Sequence, residues 1–343
     1  MTAGGLWNST GPPSGWCGAA LNRLDAWRIE PVLGEGRDAV HNRLAEAFAT
    51  RERWVIHPAM MALWREHCTP GQHLCLIGLV ARNSPELGDV EMSVESPTVV
   101  WGSKGPVSLS PGRNRLARFG APEPPDAIVV DPWCLSFGMY PQASWAANPP
   151  TDEVTFRRFT AEIATSLKAI ALLSTVPDIA SWCRSATAVV VPLKNDKPGL
   201  FKSASSEDVM GMVMVDGSAG LLRAVEGLIH ETAHLHLYML EATTPLVRAG
   251  HDVLYRSPLR SDPRPLRGVL LAFHALAYIA ASFRELAVRL GLDELVPPRE
   301  LLDALEIARE SARLGEPGLT DEGSRFVQST EEVVSYAFRL TTA

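Results

Sequence analysis

Residues 228–235 read Leu-Ile-His-Glu-Thr-Ala-His-Leu, and this H-E-x-x-H pattern predicts a metal-binding helix. Successive residues of an α-helix turn by about 100°, so His230 and His234 project from one face on adjacent turns. Two imidazoles in that arrangement can bind one metal ion, and Glu231 then lies beside the ion. The bare pattern also arises by chance, so the prediction depends on the sequence around it.

The surrounding sequence supports a helix. Asp216 and Ser218 offer capping side chains before it, and Pro245 cannot continue it beyond about Glu241. Residues 209–215 form a continuous apolar run that predicts a buried or edge strand just upstream. Strand, turn and metal helix in this order are typical of zincin-like metalloenzymes. The apolar face of the helix comprises Leu221, Leu222, Val225, Leu228, Ile229, Leu235 and Met239.

Composition favours a soluble globular protein. The chain has 343 residues, 46% of them hydrophobic and 21% charged, and no uninterrupted apolar run approaches twenty residues, which argues against a membrane span. A net charge of -7 without a basic block argues against nucleic acid as a partner. The N-terminus lacks the features of a secretory signal, so we expect a cytoplasmic protein. The five cysteines are scattered without a C-x-x-C pair, which predicts buried thiols.

The order of the predicted elements indicates an α+β fold. Residues 1–15 are rich in Gly, Ser, Thr and Pro and should be mobile. Region 16–150 is helical at first and β-rich later, and region 151–343 forms the metal-binding catalytic core. Several strands precede one long helix without regular alternation, which favours α+β over a doubly wound sheet.

Apolar periodicity places the individual elements. Strands are predicted at 90–94, 98–101, 127–130 and 187–192. Helices are predicted at 152–174, 269–290 and 299–314, and a last one starts near Thr320, a plausible cap.

A third metal ligand is needed, because catalytic ions usually take three protein ligands. His236 points about 200° away from His234, and Glu241 lies roughly 10 Å further along the helix. His274, in the next predicted helix, is the best candidate, and Glu285 on nearly the same face is the reserve. A lone histidine on an apolar helix is also a common core residue, so both interpretations stay open.

Two arginines are candidates for binding an anion near this site. Arg267 precedes His274 by seven residues, so it shares that helix face about 10 Å nearer the helix start. A small dicarboxylate bound to the ion could reach this guanidinium with its far carboxylate. Arg264 lies about 80° off that line and is the second choice. The alternative is that both arginines make ordinary surface ion pairs.

The chain resembles the HExxH-motif peptide-modification proteins encoded with ribosomally made peptide natural products. The resemblance rests on residues 230–234 and on Asp-Pro-Arg-Pro-Leu-Arg-Gly at 262–268 with the helix that follows, and it covers about 150–340. Some relatives are expected to have a histidine where this chain has Leu271.

This resemblance implies an iron(II)- and 2-oxoglutarate-dependent peptide β-hydroxylase that uses O2 and acts on a precursor peptide. His230, His234 and His274 would hold the iron, which leaves two positions for 2-oxoglutarate and one for oxygen. Glu231 would orient water or substrate, and Arg267 or Arg264 would bind the far carboxylate.

Two other functions fit the same motif. In a zinc metallopeptidase, Glu231 would be the general base for a zinc-bound water. In a non-catalytic peptide-binding protein, the motif would be inert and an exposed sheet edge such as 209–215 would bind the peptide by strand addition.

Overall fold

A computed structural model describes residues 14–24, 36–57, 90–94, 98–102, 105–116, 160–193, 203–292 and 295–339, and single positions between 60 and 87. The helices are α1 Ser14–Leu24, α2 Gly36–Ala49, α3 Thr160–Ser174, α4 Pro177–Ala186, α5 Leu221–Glu241, α6 Leu266–Leu290, α7 Arg299–Leu314 and α8 Asp321–Arg339. The strands are β1 Val90–Val94, β2 Thr98–Gly102, β3 Gly105–Leu109, β4 Gly112–Leu116, β5 Val189–Leu193, β6 Ser203–Ala204, β7 Met212–Asp216, β8 Leu254–Tyr255 and β9 Arg264–Pro265. This mixed, mostly helical architecture confirms the α+β class.

A three-stranded sheet lies beside the motif helix. Its order is β5-β7-β6, with β5 parallel and β6 antiparallel to β7. Every residue of β5 and β7 is buried. The strand predicted at 209–215 is confirmed as β7 from Met212 onward, whereas residues 209–211 form a turn before it. Its use as an exposed sheet edge is wrong, because the whole strand is buried, pairs with β5 along its length and pairs with β6 at Met214 and Val215.

Helix α5 carries the motif, and its predicted extent is confirmed. It packs against β7, α3 and α6. The capping prediction needs a correction: the Asp216 side chain accepts a hydrogen bond from the Ser218 amide at 2.9 Å and caps a short 3-10 turn, Gly217–Ala219. The residue that precedes α5 is Gly220, whose φ of 95° is a conformation that favours glycine.

Helix α6 begins three residues before the predicted start. Its 25 residues are long and apolar enough to cross a membrane, but 78% of its most apolar stretch is buried inside the protein. Helices α5, α7 and α8 pack around it. This burial is typical of the core helix of a soluble protein.

The remaining predictions divide between confirmed elements and positions outside the described residues. Strands β1, β2 and β5 and helix α7 agree with prediction, and β1 pairs with β4 while β2 pairs with β3. Helix α8 starts at Asp321. The Thr320 hydroxyl accepts a hydrogen bond from the Gly323 amide at 3.0 Å, which confirms Thr320 as the predicted cap. Helix α4, whose first turn holds Pro177, was not predicted. Four predicted segments lie wholly or largely outside the described residues: the mobile N-terminus before Ser14, residues 127–130, residues 152–159 and the region boundary at 150.

One hydrophobic core includes residues from α1 and α2 as well as from the C-terminal helices. Gly211, just before β7, has φ of 80°, and a Cβ there would overlap the carbonyl oxygen of Ile56. Ile56 ends a 3-10 turn, Arg53–Ile56, in the N-terminal region. Two of the predicted buried thiols, Cys17 and Cys183, are free and buried. The N-terminal helices thus share a core with the part of the chain that carries the motif.

Candidate metal centre

The motif histidines lie together on one face of α5. The His230 and His234 rings meet edge to face, with 4.5 Å between their centroids. Burial, followed by the nearby His230, His274 and Arg267, holds the pKa of His234 well below its usual value. His234 is therefore neutral at physiological pH, which is the state of imidazole that binds a metal. The prediction that the two histidines project from one face on adjacent turns is confirmed.

Glu231, between the histidines in sequence, is held by two serines of another segment. Ser203 donates to its Oε1 and Ser205 to its Oε2, each at 2.6 Å. Its side chain is buried, with 4% of the residue exposed. Each carboxylate oxygen therefore has one fixed partner, and the orientation of the group is set by β6 and the residue after it.

His274, the predicted third ligand, is buried among aromatic rings of α6 and α8. Its ring centroid lies 4.6 Å from that of Tyr278 and 4.8 Å from that of Phe326, and its Nδ1 is 3.3 Å from the Thr330 hydroxyl. Burial, then the charge of His236, lowers the pKa of His274 to about 3. Its Nε2 is a buried atom without a hydrogen-bond partner among the described residues.

The three predicted ligands do not form a ready metal site. Within the described part of the chain, no three His, Cys, Asp or Glu side chains are grouped, as they are placed here, in a way that would hold a metal ion. His230 and His234 are brought together, whereas His274 is not placed in one group with them. Its role as a ligand stays a prediction.

The reserve ligand Glu285 is engaged elsewhere. Its carboxylate accepts a hydrogen bond from the Tyr336 hydroxyl of α8 and another from Arg289 Nε at 2.9 Å. Both of its oxygens therefore have partners, whereas His274 Nε2 has none among the residues that the structure describes. This difference favours His274 over Glu285 as the third ligand.

Arg267, the predicted anion-binding residue, makes two ion pairs. Its Nε donates to Glu241 at 2.7 Å and its Nη2 to Glu207 at 2.5 Å, and its guanidinium carbon lies 5.5 Å from the centroid of the Tyr238 ring. Burial alone would lower the pKa of Arg267, but the two carboxylates outweigh burial and raise it. Burial raises the pKa of the Glu241 carboxyl, and this effect is larger than the lowering by Arg267. Arg264 lies in β9 opposite Tyr255.

Tyr238 joins the histidines to Arg267. Its ring centroid is 6.2 Å from that of His234, and burial, followed by the negative charge of Glu231, raises its pKa to about 12. Its hydroxyl thus stays protonated. The sequence contains a signal for Tyr238, because it follows His234 by four residues and lies on the same helix face.

The other polar residues of the site, Ser203, Ser205 and Glu207, were also missed. They come from a segment more than 20 residues away from the motif, and no local spacing in the sequence connects them to α5.

On another face of α5, His236 packs against Trp182 of α4. Their rings stack with centroids 4.8 Å apart, and Trp182 also stacks on Tyr278 of α6 at 4.3 Å. His236 Nε2 lies 3.1 Å from the Trp182 carbonyl oxygen. Burial lowers the pKa of His236 to about 4, although the contact with this carbonyl opposes the shift. His236 therefore has a structural role in this arrangement, joining α5 to α4.

No known protein-family model matches the chain, and no curated protein matches it either. The resemblance to the HExxH peptide-modification proteins therefore rests on the motif residues themselves.

Proposed function

We propose that this protein is an iron(II)- and 2-oxoglutarate-dependent enzyme that β-hydroxylates a side chain of a ribosomally made precursor peptide in the cytoplasm. The observation that carries the proposal is the edge-to-face pair of His230 and His234 with 4.5 Å between ring centroids. The order of strand β7 and helix α5 supports the proposal that this part of the chain is zincin-like. The identity of the metal and of the substrate comes from the family resemblance, since imidazole ligands also suit zinc.

The residues present fit a metal ion in part. His230 and His234 would be two ligands, and His274 is the proposed third, because its buried Nε2 lacks a partner among the described residues. When bound, iron(II) with 2-oxoglutarate supplies an oxidation in which one atom of O2 enters a C–H bond and the other leaves in succinate, with release of CO2. The chain's own contribution is to place the peptide and the dicarboxylate.

The setting of Glu231 favours an orienting role over that of a hydrolytic base. A general base in a zinc peptidase takes a proton from a metal-bound water and therefore has to approach that water. Both oxygens of Glu231 already accept hydrogen bonds from Ser203 and Ser205 at 2.6 Å. These bonds limit how far the carboxylate can turn, and they support a fixed group that positions water or substrate.

Co-expression with the cognate precursor peptide tests the reaction. The peptide is expected to gain the mass of one oxygen atom and to remain uncleaved, with one succinate formed per hydroxylation. Mass spectrometry of the intact peptide and its fragments measures the mass gain and the absence of cleavage. Succinate is measured with the purified enzyme and peptide, and a reaction without added 2-oxoglutarate is the control. Hydrolytic fragments, or activity with zinc and no 2-oxoglutarate, would place the protein among the peptidases.

Arg267→Lys is expected to weaken 2-oxoglutarate binding by at least about tenfold, because losing one charge-assisted hydrogen bond costs about 1.5–3 kcal/mol. Lysine keeps the positive charge but loses the planar fork that binds a carboxylate with two N–H groups. Titration of the apparent affinity for 2-oxoglutarate measures the effect, while the iron content should stay unchanged. Arg264→Lys is the matched control and should change little. Equal affinities in the wild type and the Arg267 variant would remove this residue from the cofactor site.

A further inference from the structure

The guanidinium of Arg267 already holds carboxylates of the chain itself. Glu241 accepts from Nε at 2.7 Å and Glu207 from Nη2 at 2.5 Å. The two carboxylates differ in exposure: 15% of the Glu241 side chain is exposed, compared with 58% of the Glu207 side chain. One positive and two negative groups leave the cluster with a net charge of about -1. An incoming anion is therefore repelled while both carboxylates stay in place.

Glu207 is the partner that can leave. Exposed ion pairs are weak, because water solvates both charges and ordering two long side chains costs entropy. Glu241 is less exposed and bonds the inner Nε, so it fixes the direction of the guanidinium. An arginine has five N–H donors, and these two contacts use one on Nε and one on Nη2. If Glu207 moved away, the Nη2 donor of Arg267 would become available to a ligand, and Arg267 and Glu241 would remain as an ion pair without net charge.

Glu207 also belongs to the segment that holds the motif glutamate. Every second position of segment 203–207 carries one of these polar side chains: Ser203, Ser205 and Glu207. The two serines donate to the two oxygens of Glu231. The same short segment thus contacts both Glu231 and Arg267. Displacement of Glu207 would act on the residues that orient Glu231.

We propose that Glu207 is an internal competitor at a carboxylate subsite formed by Arg267, and that a dicarboxylate ligand binds there by displacing it. The choice of 2-oxoglutarate as this ligand rests on the proposed function, whereas the competition rests on the ion pairs of Arg267. Glu207 thereby sets the affinity of the site and ties ligand binding to the segment that holds Glu231.

Isothermal titration of 2-oxoglutarate into the full-length protein tests this competition, with and without Mn²⁺ under anaerobic conditions. Glu207→Gln is expected to lower the Kd by about three- to fivefold, the size of effect that loss of a weak exposed ion pair gives. Asp208→Asn is the matched control, because it removes one negative charge from the neighbouring position, and its Kd should equal that of the wild type.

The outcomes separate this inference from the proposed function. Tighter binding by Glu207→Gln in a protein that does not hydroxylate peptide would support the competition and reject the function. An unchanged Kd in a protein that does hydroxylate peptide would reject the competition alone. An equal gain in Asp208→Asn, or no detectable binding by either the wild type or Glu207→Gln, would also overturn the inference.

Discussion

Alanine in place of His234 is expected to weaken metal binding by more than about 100-fold and to abolish peptide hydroxylation. Loss of even an outer partner of a metal ligand costs about 10- to 100-fold, and His234 is proposed to contact the ion directly. The same result is expected for His230→Ala, because one motif imidazole cannot replace the pair. Metal content after anaerobic reconstitution with iron(II), together with the mass of the co-expressed peptide, measures both effects.

His251→Gln is the matched control for these variants. His251 lies in the loop after α5, 2.8 Å from the Tyr255 hydroxyl, and its loss should leave the metal content unchanged.

The same measurement of metal content decides which residue is the third ligand. His274→Ala should lose the ion, whereas Glu285→Ala should keep it, because that carboxylate is engaged by Tyr336 and Arg289. The reverse result would make Glu285 the ligand, and full metal content in His234→Ala would rule out the site.

Trp182→Ala is expected to lower the free energy of unfolding by about 3–5 kcal/mol, which is typical of removing a large buried aromatic side chain. Trp182 is 3% exposed, and it lies between His236 of α5 and Tyr278 of α6. Its loss opens a cavity between α4, α5 and α6. Urea unfolding of the metal-free protein, followed by circular dichroism, measures the change.

Trp182→Phe keeps a ring in the stack and should lose clearly less stability than the alanine variant. A Trp182→Ala protein within about 1 kcal/mol of the wild type would mean that the three-ring stack does not hold these helices together. Measurement without metal matters here, because a bound ion would add its own stabilisation to every variant.

Local periodicity predicted the motif helix and its surroundings well. Apolar spacing, together with a proline beyond the helix end, located α5 from Leu221 to Glu241. The strand β7 before it and the apolar helix α6 after it followed from the same signals. Helix α4 was missed, because its ten residues carry a short pattern that is hard to separate from the strand that follows.

Contacts between distant segments could not be predicted. His274 and Arg267 share a face of α6 by spacing, yet one is buried against α8 and the other is partly exposed beside α5. Which neighbour a helix face meets depends on the packing of the whole chain and not on its own sequence. Two further contacts join segments that are distant in the sequence and could not be predicted for the same reason. One is the ion pair of Arg267 with Glu207, 60 residues apart, and the other is the pair of serine hydrogen bonds to Glu231.

In a mutational screen for loss of function, substitutions of Gly211 are expected to score as severely as those of the motif histidines, although glycine has no side chain that could take part in the reaction. Any side chain there would collide with the backbone of Ile56 and force β7 away from the N-terminal turn. Because β7 leads directly into the helix that carries His230 and His234, the damage would look like a loss of catalysis. The amount of folded protein distinguishes the two cases: histidine variants should accumulate normally, whereas Gly211 variants should be depleted from the cell.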